Sequence, residues 1–483
     1  PMNDVYEEDL GLPQPIRRIF CNRTLNLRSI RAVGFDMDYT LIHYCEQEWE
    51  RRAYEHVRES LAQRGWPVDE LIFRGDLMER GLVLDIELGN ILEANRFGYV
   101  KQAYHGTQPI DFRDVREVYA RTIVDLAEPR FVFLNTLFSL SEGCIYAQLV
   151  DLLDRKALPS PPTLGYSDLY QVVRQSLSQA HAEGQIKAEI ARDPDRFVVL
   201  DPETPLTLLD QKRAGKKVLL ITNSGWHYSR DMMSYAFDRF LPDGMTWKDL
   251  FDLIIVSARK PDFFSSRSPF FEVVDEENGL LQPAVSGLRA GGSYVGGNAH
   301  EVESFLGLQG REILYVGDHI FGDVHVTKKL LRWRTALVLR ELEQEIAATE
   351  AFAERQQQLT ALMAEKGKLE FAFCQARVAK MRAEAKYGPE PEMSPQQLDA
   401  AMGELREKLA DLDHKIAPLA KSSAELSHPL WGPLLRAGND KSLLTRQLER
   451  SADIYTSRVS NLLYETPFAY IRSRRSPMPH DPI

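Results

Sequence analysis

The chain has 483 residues and a formal net charge of −11, with 44% hydrophobic and 27% charged residues. This composition is ordinary for a folded globular protein, and the length predicts more than one domain. The acidic balance argues against a general nucleic-acid-binding protein, because a phosphate backbone requires a basic face. No apolar stretch is long enough to cross a bilayer, no signal pattern precedes the first predicted strand, and the four cysteines lack metal-ligand spacing. We therefore expect a cytoplasmic protein with unpaired cysteines and no membrane or nucleic-acid partner.

The most informative stretch is residues 32–41, a short apolar run that ends in two carboxylates, Asp36 and Asp38. The run predicts a buried parallel strand, and ligands of such sheets lie beyond the carboxyl ends of the strands. Because residues i and i+2 of a strand point the same way, the carboxylates would crowd unless a cation or a division of labour separated them. One could attack an electrophile while the other handles a proton. A turn with a helix cap is the alternative interpretation of this pattern.

Two later strand patterns end in groups that suit a phosphate. The strand pattern of residues 217–224 ends in Thr222, Asn223 and Ser224, whose hydroxyl, amide and backbone N–H groups can bind an oxyanion, although Ser224 could equally cap a helix. Residues 251–256 lead to Lys260, which is either a point charge for a phosphate or an ordinary surface lysine.

A fourth strand pattern, residues 312–317, ends in Asp318 and Asp323, whose oxygens suit Mg²⁺. His319 could suggest zinc, but no second His or Cys at a zinc-ligand spacing supports that interpretation. The glycine-rich residues 291–298 lack the ending of a phosphate-binding loop and predict a turn. A last strand, residues 335–339, is expected to close the sheet.

These patterns divide the chain into five segments. We predict an N-terminal arm and first core strand over residues 1–44, a mainly helical cap over 45–196, the continued core over 197–340, a long helical hairpin over 341–417, and a C-terminal helical region over 418–483 that packs on the core or on a partner subunit. The hairpin combines one helix over residues 341–382 with a return helix over 395–416, an arrangement that suits oligomerisation or regulation.

A cap between the first two core strands can exclude water and hold the non-reacting part of a substrate. Residues 133–139 form an aromatic and amide cluster that could stack on a flat base, although core packing is the simpler interpretation. Arg174, Ser178 and His181 fall on one face of a predicted helix, which a solvated surface would also explain.

The strings D-M-D-Y-T, I-T-N-S, R-K-P and G-D-H-I-F-G-D resemble the four motifs of the haloacid dehalogenase superfamily. Together with N-T-L-F and A-R-K-P, the last string resembles the cytosolic purine 5′-nucleotidases that prefer IMP and GMP. The resemblance covers most of the chain. It implies an α/β fold with a Rossmann-like parallel sheet, a large cap inserted after the first motif and a long helical C-terminal extension.

The resemblance also implies roles for residues in the motifs. Asp36 would attack phosphorus and form an aspartyl-phosphate, and Asp38 would protonate the leaving oxygen and then take a proton from water. Mg²⁺ would be held by Asp36, the backbone carbonyl of Asp38, and Asp318, with Asp323 orienting these ligands from outside. The phosphate oxygens would be bound by Thr40, Thr222, Asn223, Ser224 and Lys260.

In the cap, Phe138 resembles the family's base-stacking residue, and Arg174, His181 and Lys187 match its purine and ribose contacts, whereas Ser139 and Ser178 stand at two further contact positions where this chain departs from the family. Better-known members have Asn and Asp where this chain has Ser139 and Ser178, and Ser accepts hydrogen bonds from a purine edge more weakly than Asp.

The family is activated by purine nucleotides such as ATP or GTP at a second site between subunits. The positions matching that site are Asn135, Phe321, Lys329 and Gln447, whereas Asp125 and Ser451 replace two of its other residues. A purine nucleoside monophosphate as substrate, transfer of the phosphoryl group to nucleosides and a homotetramer are further expectations from the resemblance. The alternatives are a phosphatase for another small phosphorylated metabolite and a nucleotide-sensing scaffold.

Overall fold

The structure, a computed structural model, describes residues 13–158, 164–182, 184–478 and 480–481, without the side chains of residues 180–182. It contains two compact units, one formed by Pro1–Glu343 with Leu434–Ile483 and the other by Gln344–Pro433. None of the helices in these described ranges combines the length and the apolar character that a membrane span requires. All four cysteines are free, as predicted.

The described strands are short. In chain order they are β1 (Phe20–Cys21), β2 (Leu25–Asn26), β3 (Ala32–Phe35), β4 (His43–Tyr44), β5 (Val83–Asp85), β6 (Asn90–Ala94), β7 (Val100–His105), β8 (Gln108–Pro109), β9 (Phe131–Phe133), β10 (Val198–Val199), β11 (Lys217–Ile221), β12 (Leu253–Val256), β13 (Phe270–Asp275), β14 (Leu280–Pro283), β15 (Gly292–Gly296), β16 (Ile313–Gly317), β17 (Arg334–Val338), β18 (Arg436–Ala437), β19 (Asp440–Lys441), β20 (Ile454–Thr456) and β21 (Tyr470–Ile471).

The described α-helices vary from one turn to 33 residues. In chain order they are α1 (Glu46–Gln63), α2 (Phe112–Val118), α3 (Leu140–Asp154), α4 (Tyr166–Ala182), α5 (Gln185–Arg192), α6 (Pro194–Phe197), α7 (Glu203–Arg213), α8 (Trp226–Phe237), α9 (Ala299–Leu306), α10 (Leu342–Ala351), α11 (Ala353–Ala385), α12 (Pro395–Ala424), α13 (Leu443–Ser451) and α14 (Leu462–Glu465).

The first unit is built on a ten-stranded sheet with the order β1-β20-β17-β16-β3-β11-β12-β15-β13-β14. From β20 to β15 every neighbouring pair is parallel, and β3 lies between β16 and β11. All residues of β3, β12 and β16 are buried, because helices and loops cover both faces of a parallel sheet. The predicted α/β fold with a parallel core sheet, an inserted cap and a helical C-terminal extension is confirmed.

Two predictions about this sheet are wrong. The glycine-rich residues 291–298 contain β15, which pairs with β12 and buries Tyr294, so they are not simply a turn. The sheet also does not end at β17. Strand β20, contributed by the C-terminal part of the chain, pairs in parallel with β17 and is followed by β1 at the edge.

In its described residues, the cap joins the helices α1 to α6 to an antiparallel sheet of five strands in the order β8-β7-β6-β5-β9. Helices provide most of the described regular structure of the cap, as predicted. Helix α1 buries one face, which includes Trp49 and Leu61.

The second unit is a helical hairpin formed mainly by α11 and α12. Its ion pairs Lys366–Asp413 and Lys380–Asp399 join the two helices in an antiparallel register. The single helix predicted over residues 341–382 is two helices, α10 and α11, separated at the buried Phe352. The return helix continues past its predicted end at residue 416 to Ala424, with Pro418 inside it.

Candidate active site

The carboxyl ends of β3, β11, β12 and β16 open into a cavity of about 520 Å³. Strand register explains the convergence, because β3 pairs with both β11 and β16, and the backbone N–H of Asp36 donates to the carbonyl of Val316 at 2.9 Å. The predicted residues that line this cavity are Asp36, Asp38, Phe138, Lys187, Thr222, Asn223, Ser224, Lys260, Asp318, Phe321 and Asp323.

Lys260 provides the positive charge at the base of the cavity. Its Nζ lies 2.8 Å from Asp36 Oδ1 and 2.6 Å from Asp323 Oδ1, and it donates to the hydroxyl of Tyr315 at 3.0 Å. Burial by itself would lower the pKa of Lys260, but the carboxylates of Asp323 and Asp36 outweigh this and hold the pKa well above its usual value. The lysine is therefore a fixed cation among acids and not an ordinary surface residue.

Three carboxylates, Asp36, Asp318 and Asp323, bring oxygens within 4.8 Å of one another. Burial raises the pKa of Asp36 to about 7, against the opposing effect of Lys260. Burial, followed by the charges of Asp323 and Asp36, raises the pKa of Asp318 well above its usual value. Oδ2 of Asp318 is buried without a hydrogen-bond partner in the described part of the chain. A cluster of buried anions with an unsatisfied oxygen is the chemistry that a hard divalent cation stabilises.

Asp323 differs from the other two acids because both of its oxygens are already bound. Oδ1 is paired with Lys260, and Oδ2 accepts the backbone N–H of His319 at 3.1 Å. The residue lies in a π-helical turn, Ile320–His325, that follows β16. Within the same turn, Nδ1 of His319 accepts the backbone N–H of Gly322 at 2.8 Å, so this nitrogen is occupied inside the loop.

Asp38 is oriented by a separate set of groups. Oδ2 accepts a hydrogen bond from Ser224 Oγ and lies 3.3 Å from Lys187 Nζ, which reaches the site from helix α5 of the cap. Oδ1 accepts a hydrogen bond from the hydroxyl of Tyr44. Asp36 and Asp38 therefore have different environments: Asp36 is paired with a core lysine, and Asp38 is held by hydroxyls and a cap lysine.

The loops after β11 and β12 supply uncharged polar side chains. Asn223 accepts the backbone N–H of Lys260 at 2.6 Å and donates to the carbonyl of Lys260 at 3.1 Å, so it ties the two loops together. Thr222 Oγ1 accepts the backbone N–H of Ser224 at 3.1 Å. Thr40 is the one predicted phosphate-binding residue that does not line the cavity, although its buried hydroxyl has no partner within the described residues.

The predicted base and ribose residues lie in two different cavities. Phe138 and Lys187 line the cavity with the acids, where Phe138 packs against Trp49 with ring centroids 5.1 Å apart. A second cavity of about 470 Å³ is lined by Ser139, Arg174 and Ser178 together with two of the predicted effector residues, Asn135 and Phe321.

Phe321 lines both cavities, which are therefore neighbours. The other two predicted effector residues, Lys329 and Gln447, line neither. Lys329 is exposed on the chain segment after the π-helical turn, and Gln447 is buried in α13. The side chain of His181 lies outside the described part of the chain.

Sequence reasoning missed three residues near the acids. Arg80, from the cap, is buried, donates to the backbone carbonyl of Asp318 at 3.1 Å and forms an ion pair with Glu341 at 2.7 Å. Tyr44 and Tyr228 lie behind Asp38 and are hydrogen-bonded to each other. No motif contains Arg80 or Tyr228, and Tyr44 follows the first motif without any pattern that separates it from a core tyrosine.

Known proteins are similar to this chain over most of its length. A family model described as the 5′ nucleotidase family matches residues 19–483. The human protein 5′-nucleotidase domain-containing protein 2 is 27% identical over 483 residues, covering 96% of this chain and 85% of its own. A 5′-nucleotidase domain-containing protein of Dictyostelium discoideum is 25% identical over 471 residues, covering 96% of this chain and 74% of its own.

Among solved structures, an archaeal beta-phosphoglucomutase from Pyrococcus is 10% identical, with a TM-score of 0.30 over 64% of this chain and 86% of its own, a similarity too low to bear on function. The family model, by contrast, spans both the cap and all four acid-bearing or phosphate-binding loops. The chain therefore belongs to the 5′ nucleotidase family, a family of hydrolases that act on phosphomonoesters.

Proposed function

We propose that this protein hydrolyses purine nucleoside 5′-monophosphates, with IMP and GMP as the preferred substrates, in a Mg²⁺-dependent reaction through a phosphorylated Asp36. One observation supports this proposal above the others. A single cavity is lined by Asp36, Asp38, Ser224 and Lys260, which lie on three loops distant in sequence. Family membership supports a nucleotide as the substrate.

Asp36 and Asp38 have environments that suit two different tasks. Asp36 Oδ1 is engaged by Lys260 at 2.8 Å, which stabilises the anion that must attack phosphorus. Asp38 accepts hydrogen bonds from the hydroxyls of Tyr44 and Ser224, which suits a group that gives and takes a proton. Two carboxylates with separated roles are a common solution for acid and base chemistry near neutral pH.

The phosphate would bind between the loops after β11 and β12. Ser224 and Thr222 offer hydroxyls, Asn223 holds the loop of Lys260 in position, and Lys260 supplies positive charge. Such preorganised donors stabilise the charge that spreads over the equatorial oxygens during phosphoryl transfer. Thr40 is proposed for the same set because its buried hydroxyl has no partner among the described residues.

The residues present fit a magnesium ion. We propose Asp36, Asp318 and, from the family resemblance, the backbone carbonyl of Asp38 as direct ligands. Asp36 and Asp318 belong to the cluster of close carboxylate oxygens, and Oδ2 of Asp318 is buried and unsatisfied within the described chain. Asp323 is assigned an orienting role from outside, since both of its oxygens are occupied by Lys260 and the His319 N–H. When bound, Mg²⁺ would offset the repulsion between the carboxylates and the phosphate and polarise the phosphoryl oxygens.

The cap would select the base. Phe138, in the wall of the catalytic cavity, is proposed to stack on the purine, and Lys187 to bind near the ribose. Ser139, Arg174, Ser178 and His181 are proposed as polar contacts to a 6-oxopurine. Three of these line the neighbouring cavity, so binding of a base by all of them would require the two cavities to act as one.

Regulation and assembly remain proposals drawn from the family resemblance. We propose activation by a purine nucleotide through Asn135, Phe321, Lys329 and Gln447. Phe321 supports the idea, because it belongs to the turn that contains Asp323 and lines both cavities. Phosphoryl transfer to nucleosides, a homotetramer and a cytoplasmic location complete the proposal.

Phosphate release from a panel of nucleoside monophosphates, with and without Mg²⁺ and with and without GTP or ATP, tests this function. We expect release from IMP and GMP only with Mg²⁺, and no release by Asp36→Asn. Asp231→Asn is the matched control, because Asp231 lies in α8 and pairs with Arg230 at the surface. Absence of release from every purine monophosphate would contradict the proposal. Preference for a different small phosphate would contradict the proposed substrate and favour a phosphatase for that metabolite.

A further inference from the structure

Behind Asp38 lie two tyrosines that the proposed function leaves without a role. Tyr44 is at the end of β4 and Tyr228 is in the first turn of α8. The hydroxyl of Tyr228 donates to the hydroxyl of Tyr44 at 2.9 Å, and the hydroxyl of Tyr44 donates to Asp38 Oδ1. The two phenols therefore form a directed chain of hydrogen bonds that ends on one oxygen of Asp38.

The two oxygens of Asp38 face different surroundings. Oδ2 is engaged by Ser224 and Lys187, which both line the catalytic cavity. Oδ1 is engaged by Tyr44, which is 4% exposed and is not part of the described lining of that cavity. A carboxylic acid carries its proton on one oxygen. Ser224 and Lys187 are proposed to bind the phosphate and the ribose, so a bound substrate would draw both away from Oδ2, whereas the buried Tyr44 hydroxyl would stay on Oδ1 and leave Oδ2 to carry the proton.

We propose that Tyr44, supported by Tyr228, is a positioning residue that reserves Oδ2 of Asp38 for proton exchange with the substrate. This inference rests on the proposed function. As Asp36 bonds to phosphorus and the bond to the leaving oxygen breaks, the proton on Oδ2 passes to that oxygen, and the Tyr44 hydroxyl stabilises the resulting carboxylate. As water then bonds to phosphorus and the bond to Asp36 breaks, Oδ2 takes a proton from the water.

Packing makes Tyr44 suitable for this role. Its ring lies against Trp49, with centroids 4.6 Å apart, and makes an edge contact with Tyr39 at 5.3 Å. These contacts fix the ring without using the hydroxyl. Lys187 Nζ lies 4.6 Å from the ring centroid of Tyr228, so the cap residue that contacts Asp38 also covers the second phenol.

The experiment compares leaving groups that need different amounts of help from an acid. An alkoxide such as the ribose 5′-oxygen of IMP needs a proton as it departs, whereas p-nitrophenolate departs as a stable anion. Because kcat/KM reports the steps up to leaving-group release, it isolates the first transfer. For Tyr44→Phe we expect kcat/KM to fall roughly 10- to 100-fold with IMP, the range for losing a hydrogen bond to a charged group, and to change little with p-nitrophenyl phosphate.

Tyr119→Phe is the matched control. Tyr119 is also a buried tyrosine that donates to a buried carboxylate, Asp85, at 2.8 Å, but it lies in the cap away from Asp38. It should leave both kcat/KM values unchanged. If Tyr44→Phe does not fold with a Tm near that of the wild type, Tyr228→Phe replaces it in the test. For Tyr228→Phe we expect a smaller fall in kcat/KM with IMP and little change with p-nitrophenyl phosphate.

Equal losses with both substrates, or no loss with IMP, would overturn the inference while leaving the proposed function intact. If the wild-type protein releases phosphate from neither substrate in the presence of Mg²⁺, the proposed function itself fails and the inference falls with it.

Discussion

Replacing Lys260 with Met tests whether one buried ammonium holds the carboxylate cluster together. The Lys260 side chain is 3% exposed, and its Nζ lies within ion-pair distance of Asp36 and Asp323 at 2.8 and 2.6 Å. Met has a similar length and no charge, so the substitution removes the cation with little change in packed volume. The variant therefore isolates the electrostatic contribution of the lysine.

The expected loss of stability is large. Removing one partner of a buried ion pair costs about 3–5 kcal/mol, because the other charge stays buried and uncompensated. Lys260 has two such partners, and a third carboxylate, Asp318, has an oxygen within 4.8 Å of both. We therefore expect the free energy of unfolding of the metal-free protein to fall by about 5 kcal/mol, the upper end of that range.

Two further features sharpen this test. Urea unfolding followed by tryptophan fluorescence measures the loss, and Mg²⁺ should restore part of it because a cation replaces the missing charge. Lys366→Met is the matched control: Lys366 lies 2.6 Å from Asp413, an equally short ion pair, but on the exposed surface of the hairpin, where little change is expected. Equal, small effects of the two substitutions would refute the reasoning.

Three other predictions follow from the structure. Gly317→Ala should abolish activity, because the added Cβ would overlap the side chain of Asp323, whereas Gly403→Ala, with open space around it, should be harmless; phosphate release by the two variants checks this. Asp318→Asn should lose the rise in Tm that Mg²⁺ gives the wild type, and an unchanged rise would contradict its assignment as a ligand. Burial lowers the pKa of His43 from 6.5 to about 3, so its neutral form stabilises the fold above pH 6.5. That contribution is lost as pH falls, by about 2 kcal/mol between pH 6.5 and about pH 5, a loss that unfolding titrations should find reduced in His43→Leu.

The sequence predicted the part of the fold that depends on local pattern. Strands β3, β11, β12 and β16 are apolar runs followed at once by polar groups, and parallel pairing brings such ends to one edge. That physics was enough to gather the acids, the hydroxyls and Lys260 from stretches that are far apart in the chain. The helical character of the cap also depends on local pattern, since a helix such as α1 has apolar residues along one face.

Other features could not be predicted because they depend on pairing between distant segments. Strand β15 is Gly-Ser-Tyr-Val-Gly, and its glycines conceal a strand whose stability comes from β12 on one side and β13 on the other. Strand β20 has only three residues and joins the sheet after the whole hairpin has intervened. The cap sheet likewise consists of strands of two to six residues.

The site shows the same limit. Tyr44, Tyr228 and Arg80 resemble ordinary core or surface residues in the chain. Only the folded structure shows that Tyr44 contacts Asp38, that Tyr228 contacts Tyr44 and that Arg80 contacts the Asp318 carbonyl. The division of the expected base and effector residues between two cavities that share Phe321 is also a property of the folded cap.

Phosphorylation of Asp36 is the central claim, and acid-quench mass spectrometry of Asp38→Asn mixed with p-nitrophenyl phosphate and Mg²⁺ tests it most directly. The activated leaving group needs no acid, and without Asp38 as a base the phosphorylated enzyme should persist. We predict one burst of p-nitrophenolate per enzyme and one phosphoryl group on the peptide that contains Asp36. Release of p-nitrophenolate without protein-bound phosphate, or phosphate on another residue, would contradict the account.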